Sequence, residues 1–259
     1  MSEIEIAFLA LVRGVSEFLP VGAERPPLMV LKGLARHGGA MLVAVQAGLL
    51  LALLAALRSE LWSMGMGLWR VAKGRRDPGA RLALQVAVAA IPSAGIGWLV
   101  AQGQIFGPGT PLVVGCTTVA AGLALAITDR LGLTLRRIEH MTLLGALVLG
   151  TVQGVALLPG AGRAGPAVAL ARLMGYERVE AFRFSLLLSV PAVAAMLASG
   201  LGRLNAMPPG GDALAALTVS FGLAWLAATL AGWWLRRNGF TPFALYQMAL
   251  GGTVIALGM

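Results

Sequence analysis

Gln153-Gly154-Val155-Ala156-Leu157-Leu158-Pro159-Gly160-Ala161-Gly162-Arg163 interrupts one long apolar stretch of the chain, and reading it decides the fold. Proline removes a helix hydrogen-bond donor, and glycine loosens the backbone. Apolar residues lie on both sides, over about 141–158 and 164–175. A short helix, a break and a second short helix predict a re-entrant hairpin over 141–175. Irregular backbone survives at membrane depth only where protein or a water-filled cavity satisfies it. A second stretch repeats the order: Arg13-Gly14-Val15-Ser16-Glu17-Phe18-Leu19-Pro20-Val21-Gly22-Ala23-Glu24-Arg25. Both stretches run Gly-Val, Leu-Pro, small residues, Arg, so a first broken hairpin is predicted over 4–36.

Outward from these breaks, six apolar runs read as spans: 40–57, 82–101 and 111–127 after the first, 181–201, 213–235 and 242–258 after the second. Charged residues make up 12% of the chain against 58% hydrophobic, with mean hydropathy +0.83. A soluble domain carries about 25% charged residues, so this chain belongs in a bilayer. The basic residues behind the net charge of +9 cluster between apolar runs, in 58–81, 128–140 and 236–241. They are read as topology signals, with those loops cytoplasmic, and not as a nucleic-acid surface. With that sidedness all six spans alternate, the first hairpin enters from outside and the second from the cytoplasm. The prediction is an all-α polytopic membrane protein: six transmembrane helices plus two re-entrant broken helical hairpins in an inverted-topology repeat. It forms a single membrane domain over 1–259, with repeat one at about 1–130 and repeat two at about 138–259. In such repeats the broken elements meet near the midplane.

Ionisable groups at that depth are costly and mark function by default. The first hairpin carries Arg13, Glu17, Glu24 and Arg25. Arg13 and Glu17 sit four apart, so a mutual salt bridge is the structural alternative. Arg163 follows the Pro159-Gly160 break and precedes a helix, where backbone amides and the dipole favour an anion. The candidate phosphate-binding group is Arg163, Gly160, Gly162, Gly165, Arg13 and Arg25. Candidate pocket residues are Gln153, Gln46, Glu24, Pro20, Pro159 and Arg183. The alternatives are Arg163 snorkelling or pairing with Glu17, and both glutamines bonding between helices. A lone Cys116 excludes an internal disulfide and a multi-cysteine metal site, and His37 and His140 have no ligand spacing, so no metal site is predicted. The start, Met1 to Glu5, carries two acids and no base, and is expected to be retained.

The stretch Leu158 to Pro166, with Gln153 before it and Ala181-Phe182-Arg183-Phe184-Ser185 to Pro191 after it, resembles the undecaprenyl-diphosphate phosphatase family (UppP/BacA). Gly14 to Val21, Val45-Gln46-Ala47-Gly48, Ile91 to Gly97 and Phe243 to Tyr246 extend the resemblance along nearly the whole chain. It implies the same six spans and two hairpins. It also exposes departures. The family's first motif has two acids four apart, and here they read Arg13 and Glu17. Its paired serines and histidine read Gly22, Ala23 and Pro26, and the serines and threonine of its second motif read Gly162, Ala164 and Ala167.

These losses leave the cationic and backbone part of the pocket. The first expectation is therefore a protein that binds, translocates or senses a polyprenyl phosphate or diphosphate carrier without efficient hydrolysis. The alternative is an active undecaprenyl-diphosphate phosphatase using substitute groups, Glu17 first among the nearby candidates Glu17, Glu24 and His37, and recycling lipid carrier for cell-wall synthesis. A second alternative is an accessory membrane subunit. No cofactor is expected for binding alone, and Mg or Ca for hydrolysis. The expected partners are the polyprenyl lipid and the bilayer of a bacterial inner membrane, with no nucleic acid and homo-oligomerisation left open.

Overall fold

The computed structural model describes residues 18–20, 28–105, 109–132, 135–202 and 211–258, without the side chains of 28–40 and 101. Among them the chain forms helices α1 (Leu28–Ala56), α2 (Arg58–Ala72), α3 (Pro78–Ala101), α4 (Pro111–Leu131), α5 (Leu143–Val155), α6 (Ala164–Leu173), α7 (Arg178–Gly200), α8 (Asp212–Leu235) and α9 (Thr241–Leu257). Capping chemistry explains several starts. Asp77 accepts from the Gly79 amide ahead of α3, Thr110 from Val113 ahead of α4, and Thr142 from Gly145 ahead of α5. Pro78 and Pro111 occupy first turns, where a missing N–H costs nothing.

Among the described residues four helices are long and apolar enough to cross a membrane: Pro78–Val100, Pro111–Leu131, Arg178–Gly200 and Asp212–Leu235. The pair Met41–Ala56 and Arg58–Ala72, bent by 75°, makes a fifth if taken as one span. Thr241–Leu257 is apolar but only 17 residues long. Large apolar side chains such as Ile91, Trp98, Leu144 and Leu230 face outward. The chain is an all-helical, multi-pass membrane protein.

Helix α4 packs along α9, α1 along α8 and α7, and α3 along α5 and α2. Small residues allow this close approach. A Cβ on Gly150 would collide with the Ala89 backbone of α3, and Gly251 of α9 meets the Gly115 carbonyl of α4. Phe182, Phe184, Leu187, Leu53, Val45 and Leu149 form the centre of the core.

Two expectations change. The described end of the hairpin predicted over 4–36, from residue 28, and the span predicted at 40–57 form one continuous helix, α1. No proline lies inside Leu28–Ala56, and its glycines each cost only about 1 kcal/mol while keeping their donors. The basic segment 58–81, read as a loop, contains α2, which ends where Gly74 turns to a φ of +78°.

The basic segments meet at one end of the bundle. Asp129, near the end of α4, accepts from Arg178 Nε (2.7 Å) and the Phe240 amide (2.9 Å), and pairs with Arg172 Nε (3.3 Å). Arg172 and Asp129 are 1% and 3% exposed, so this is a buried charge cluster. It ties the ends of α4 and α6 to the starts of α7 and α9. At the same end Met141 offers its carbonyl to Gln85 and Arg81 of α3.

Candidate functional site

Helix α5 starts at that basic end, beside Met141, and stops at Val155. The last turn tightens: Leu157 bonds back to Gly154, and Leu158 to Val155. Pro159 cannot continue the ladder. Gly160 and Gly162 then adopt φ of +95° and +68°, a region that favours glycine. The Thr117 hydroxyl of α4 donates to the Pro159 carbonyl and the Thr118 hydroxyl to the Gly160 carbonyl, fixing the turn against α4. Helix α6 begins at Ala164 with Arg163 as its N-cap residue, and returns to the basic end. There Arg172 donates to the carbonyls of Tyr176, Gly132 and Asp129.

Both limbs of this hairpin thus open to the same end, while the turn sits deep in the bundle. Thr117 and Thr118 precede Asp129 by about 17 Å along α4, at 1.5 Å per residue. The interrupted element expected at 141–175 is present in backbone terms, with helices over Leu143–Val155 and Ala164–Leu173.

Arg163 is 5% exposed. One guanidinium nitrogen lies 3.0 Å from Met196 Sδ on α7. A thioether is a weak acceptor, so this contact leaves most of the guanidinium's hydrogen-bonding demand to other groups. The α6 dipole and the amides of Ala164 and Gly165 add positive character at the same place; Pro166 supplies none. Gln46 of α1 is buried and faces Gly200, one turn beyond Met196 on α7. Gln153 is buried in α5, and its Oε1 has no hydrogen-bond partner. Pro20 and its neighbour Phe18 are buried. Arg13, Glu17, Glu24 and Arg25 lie outside the described residues, as does most of the first hairpin.

Arg183 is not brought to this place. It sits 13 residues before Met196 on α7, about 20 Å along the axis. Its guanidinium pairs with Glu60 of α2 (3.6 Å) and Glu180 (3.7 Å) at the basic end. Gln247 of α9 was not singled out from the sequence. It is fully buried, neither amide atom has a partner, and its Nε2 points at Gly165, where a Cβ would come within 3.0 Å. A glutamine within the apolar run 242–258 was the available signal. Among the described residues no group of three His, Cys, Asp or Glu could hold a metal ion.

The family model described as "Bacitracin resistance protein BacA" matches residues 6–253. The chain is 39% identical to Undecaprenyl-diphosphatase 1 of Rhodospirillum rubrum, over 98% of this chain and 94% of the relative. It is 38% identical to Undecaprenyl-diphosphatase 1 of Paramagnetospirillum magneticum, over 99% of this chain and 98% of the relative. It is likewise 38% identical to Undecaprenyl-diphosphatase of Maricaulis maris, over 97% of each chain. A match of this length takes in the Pro159-Gly160 turn, Arg163 and the helices that hold them, and the chain belongs to the BacA family of undecaprenyl-diphosphatases.

Proposed function

We propose that the chain hydrolyses a polyprenyl diphosphate within the membrane, with Arg163 holding the phosphate that leaves. The carrying observation is a buried arginine at the N-cap of α6, beneath a Pro-Gly turn pinned to α4, in a chain that matches proteins named undecaprenyl-diphosphatase nearly end to end. Guanidinium and helix N-terminus together neutralise a diphosphate as its bridging bond stretches. Water adds to the terminal phosphorus, the P–O bridge breaks, and the lipid monophosphate and inorganic phosphate part. Glu17 is the proton-transfer group in this reading, taking the proton from water.

The relatives' names favour hydrolysis over the binding-only expectation. That second reading keeps one observation in its favour. The turn itself carries no hydroxyl at Gly162, Ala164 or Ala167, and the nearest ones, Thr117 and Thr118, already donate to backbone carbonyls. In this reading a Mg or Ca ion would take its carboxylates from Glu17 and Glu24. Such an ion would supply charge neutralisation of the diphosphate.

The wider architecture is part of the same proposal: six spans, two hairpins that dip into the bilayer, and basic loops facing the cytoplasm of a bacterial inner membrane. Two features support it. The limbs of 143–173 share an end, and the basic segments gather there. Contacts of α1 with α7 and of α4 with α9 pair the first and third spans of one half with their counterparts in the other, as a two-fold would. Purified protein offered undecaprenyl diphosphate with Mg²⁺ or Ca²⁺ tests the chemistry. Phosphate release that is lost in Glu17→Gln supports it; tight lipid binding with no release would replace it by the binding-only reading.

A further inference from the structure

Helix α2 has no counterpart among the spans. It leaves α1 at 75°. Helix α1 packs against α7 and α8, so α2 turns sharply away from the helices that α1 runs with. One side of it is seated on the start of α3, where Gly67 meets the Gly79 and Ala80 backbone. Another side is bare. Trp62 and Trp69 are 74% and 59% exposed, and Trp62, Met66 and Trp69 recur at helical spacing on one stripe. Lys73 lies 4.5 Å from the Trp69 ring, so charge begins where the aromatic stripe ends.

The segment is basic, and its acids are occupied. Glu60 is held by Arg183 and Asp77 by Arg70 at 2.8 Å. Lys73, Arg75 and Arg76 are exposed around the Gly74 turn, and no carboxylate among the described residues pairs with them. Tryptophan concentrates at membrane–water boundaries, and basic clusters there attract anionic lipids. An amphipathic helix bent sharply off its preceding span, aromatic on one stripe and cationic at its end, matches the boundary and not the hydrocarbon.

We infer that α2 and the turn 73–76 form a binding site for anionic phospholipid headgroups. Trp62, Met66 and Trp69 rest at the acyl–headgroup boundary, and Lys73, Arg75 and Arg76 bind the lipid phosphates. The site is separate from the Pro159-Gly160 turn and does not depend on what that turn does.

The test uses the full chain in phosphatidylcholine vesicles that contain brominated phosphatidylglycerol or, at equal mole fraction, brominated phosphatidylcholine. The readout is quenching of the fluorescence that Trp62→Phe/Trp69→Phe removes. Each basic residue near an anionic surface strengthens attraction about fivefold, so quenching by the glycerol lipid should exceed quenching by the choline lipid by about threefold or more. The excess should vanish in 1 M salt, where screening acts over about 3 Å, and in Lys73→Gln/Arg75→Gln/Arg76→Gln. Equal quenching by both lipids, or none by either, overturns the site in the unmodified protein without relying on a variant's folding. A preference that survives the triple substitution overturns the role of these three residues.

Discussion

Replacing Gly160 by alanine probes the turn that carries Arg163, and Gly74 provides its control. Both glycines have positive φ, +95° and +78°. A side chain at positive φ costs about 1–2 kcal/mol, so that strain is shared. Their surroundings differ. Around Gly74 a new Cβ meets nothing within 4 Å. At Gly160 it collides with the Val114 carbonyl and the hydroxyls of Thr117 and Thr118. The turn must then move off α4 and lose two hydrogen bonds, each worth about 0.5–1.5 kcal/mol. Gly160→Ala should therefore destabilise by about 2–5 kcal/mol and Gly74→Ala by about 1–2 kcal/mol. Unfolding in mixed micelles of rising denaturing-detergent fraction, followed by tryptophan fluorescence, measures the gap. Phosphate release should fall for Gly160→Ala and stay near wild type for Gly74→Ala. Equal destabilisation of the two variants would refute the claim that Thr117 and Thr118 hold the turn.

Asp129→Asn leaves Arg172 buried without its counter-charge, which costs about 3–5 kcal/mol; the same unfolding assay should show the largest loss of any single change at the basic end. Gln247→Leu removes two buried, unpartnered amide atoms at little change in volume, and should stabilise by about 1–3 kcal/mol; a fall in stability would mean the amide has a partner. The Arg70 guanidinium hydrogen-bonded to Asp77, with the Gly79 amide beside it, holds that carboxyl below its usual 3.8. A depressed pKa stabilises the fold above the unfolded value and is lost as pH falls through the folded one. Amide exchange across 70–80, corrected for intrinsic rates, should therefore quicken only below about pH 4.

The second hairpin was legible because its signals are local. Pro159 and Gly160 fall in the turn that follows Val155, the last residue of one helix, and Arg163 sits at the start of the next. The span read at 213–235 appears as Asp212–Leu235 for the same reason, an unbroken apolar run. Helix α2 was missed because arginine density reads as loop, although Trp62, Met66 and Trp69 share a helical period. The merger of two predicted elements into α1 was missed because the Pro20-Val21-Gly22 break suggested a separate short limb, whereas no proline interrupts Leu28–Ala56. The Asp129–Arg172–Arg178 cluster joins residues 43 and 49 positions apart, and nothing near any of them announces the others. Arg183 looked like a pocket residue for its place at the head of an apolar run, and its partner Glu60 is supplied by a distant helix.

Arg163 offers the most direct test of the central claim. Phosphate release from undecaprenyl diphosphate by wild type and Arg163→Gln should be compared in the same micelles, with unfolding of both measured alongside. Losing a buried charge-assisted contact costs about 2–5 kcal/mol, so Arg163→Gln should lower kcat/KM by at least about thirtyfold while the protein stays folded. Unchanged release by a folded Arg163→Gln would place the phosphate elsewhere.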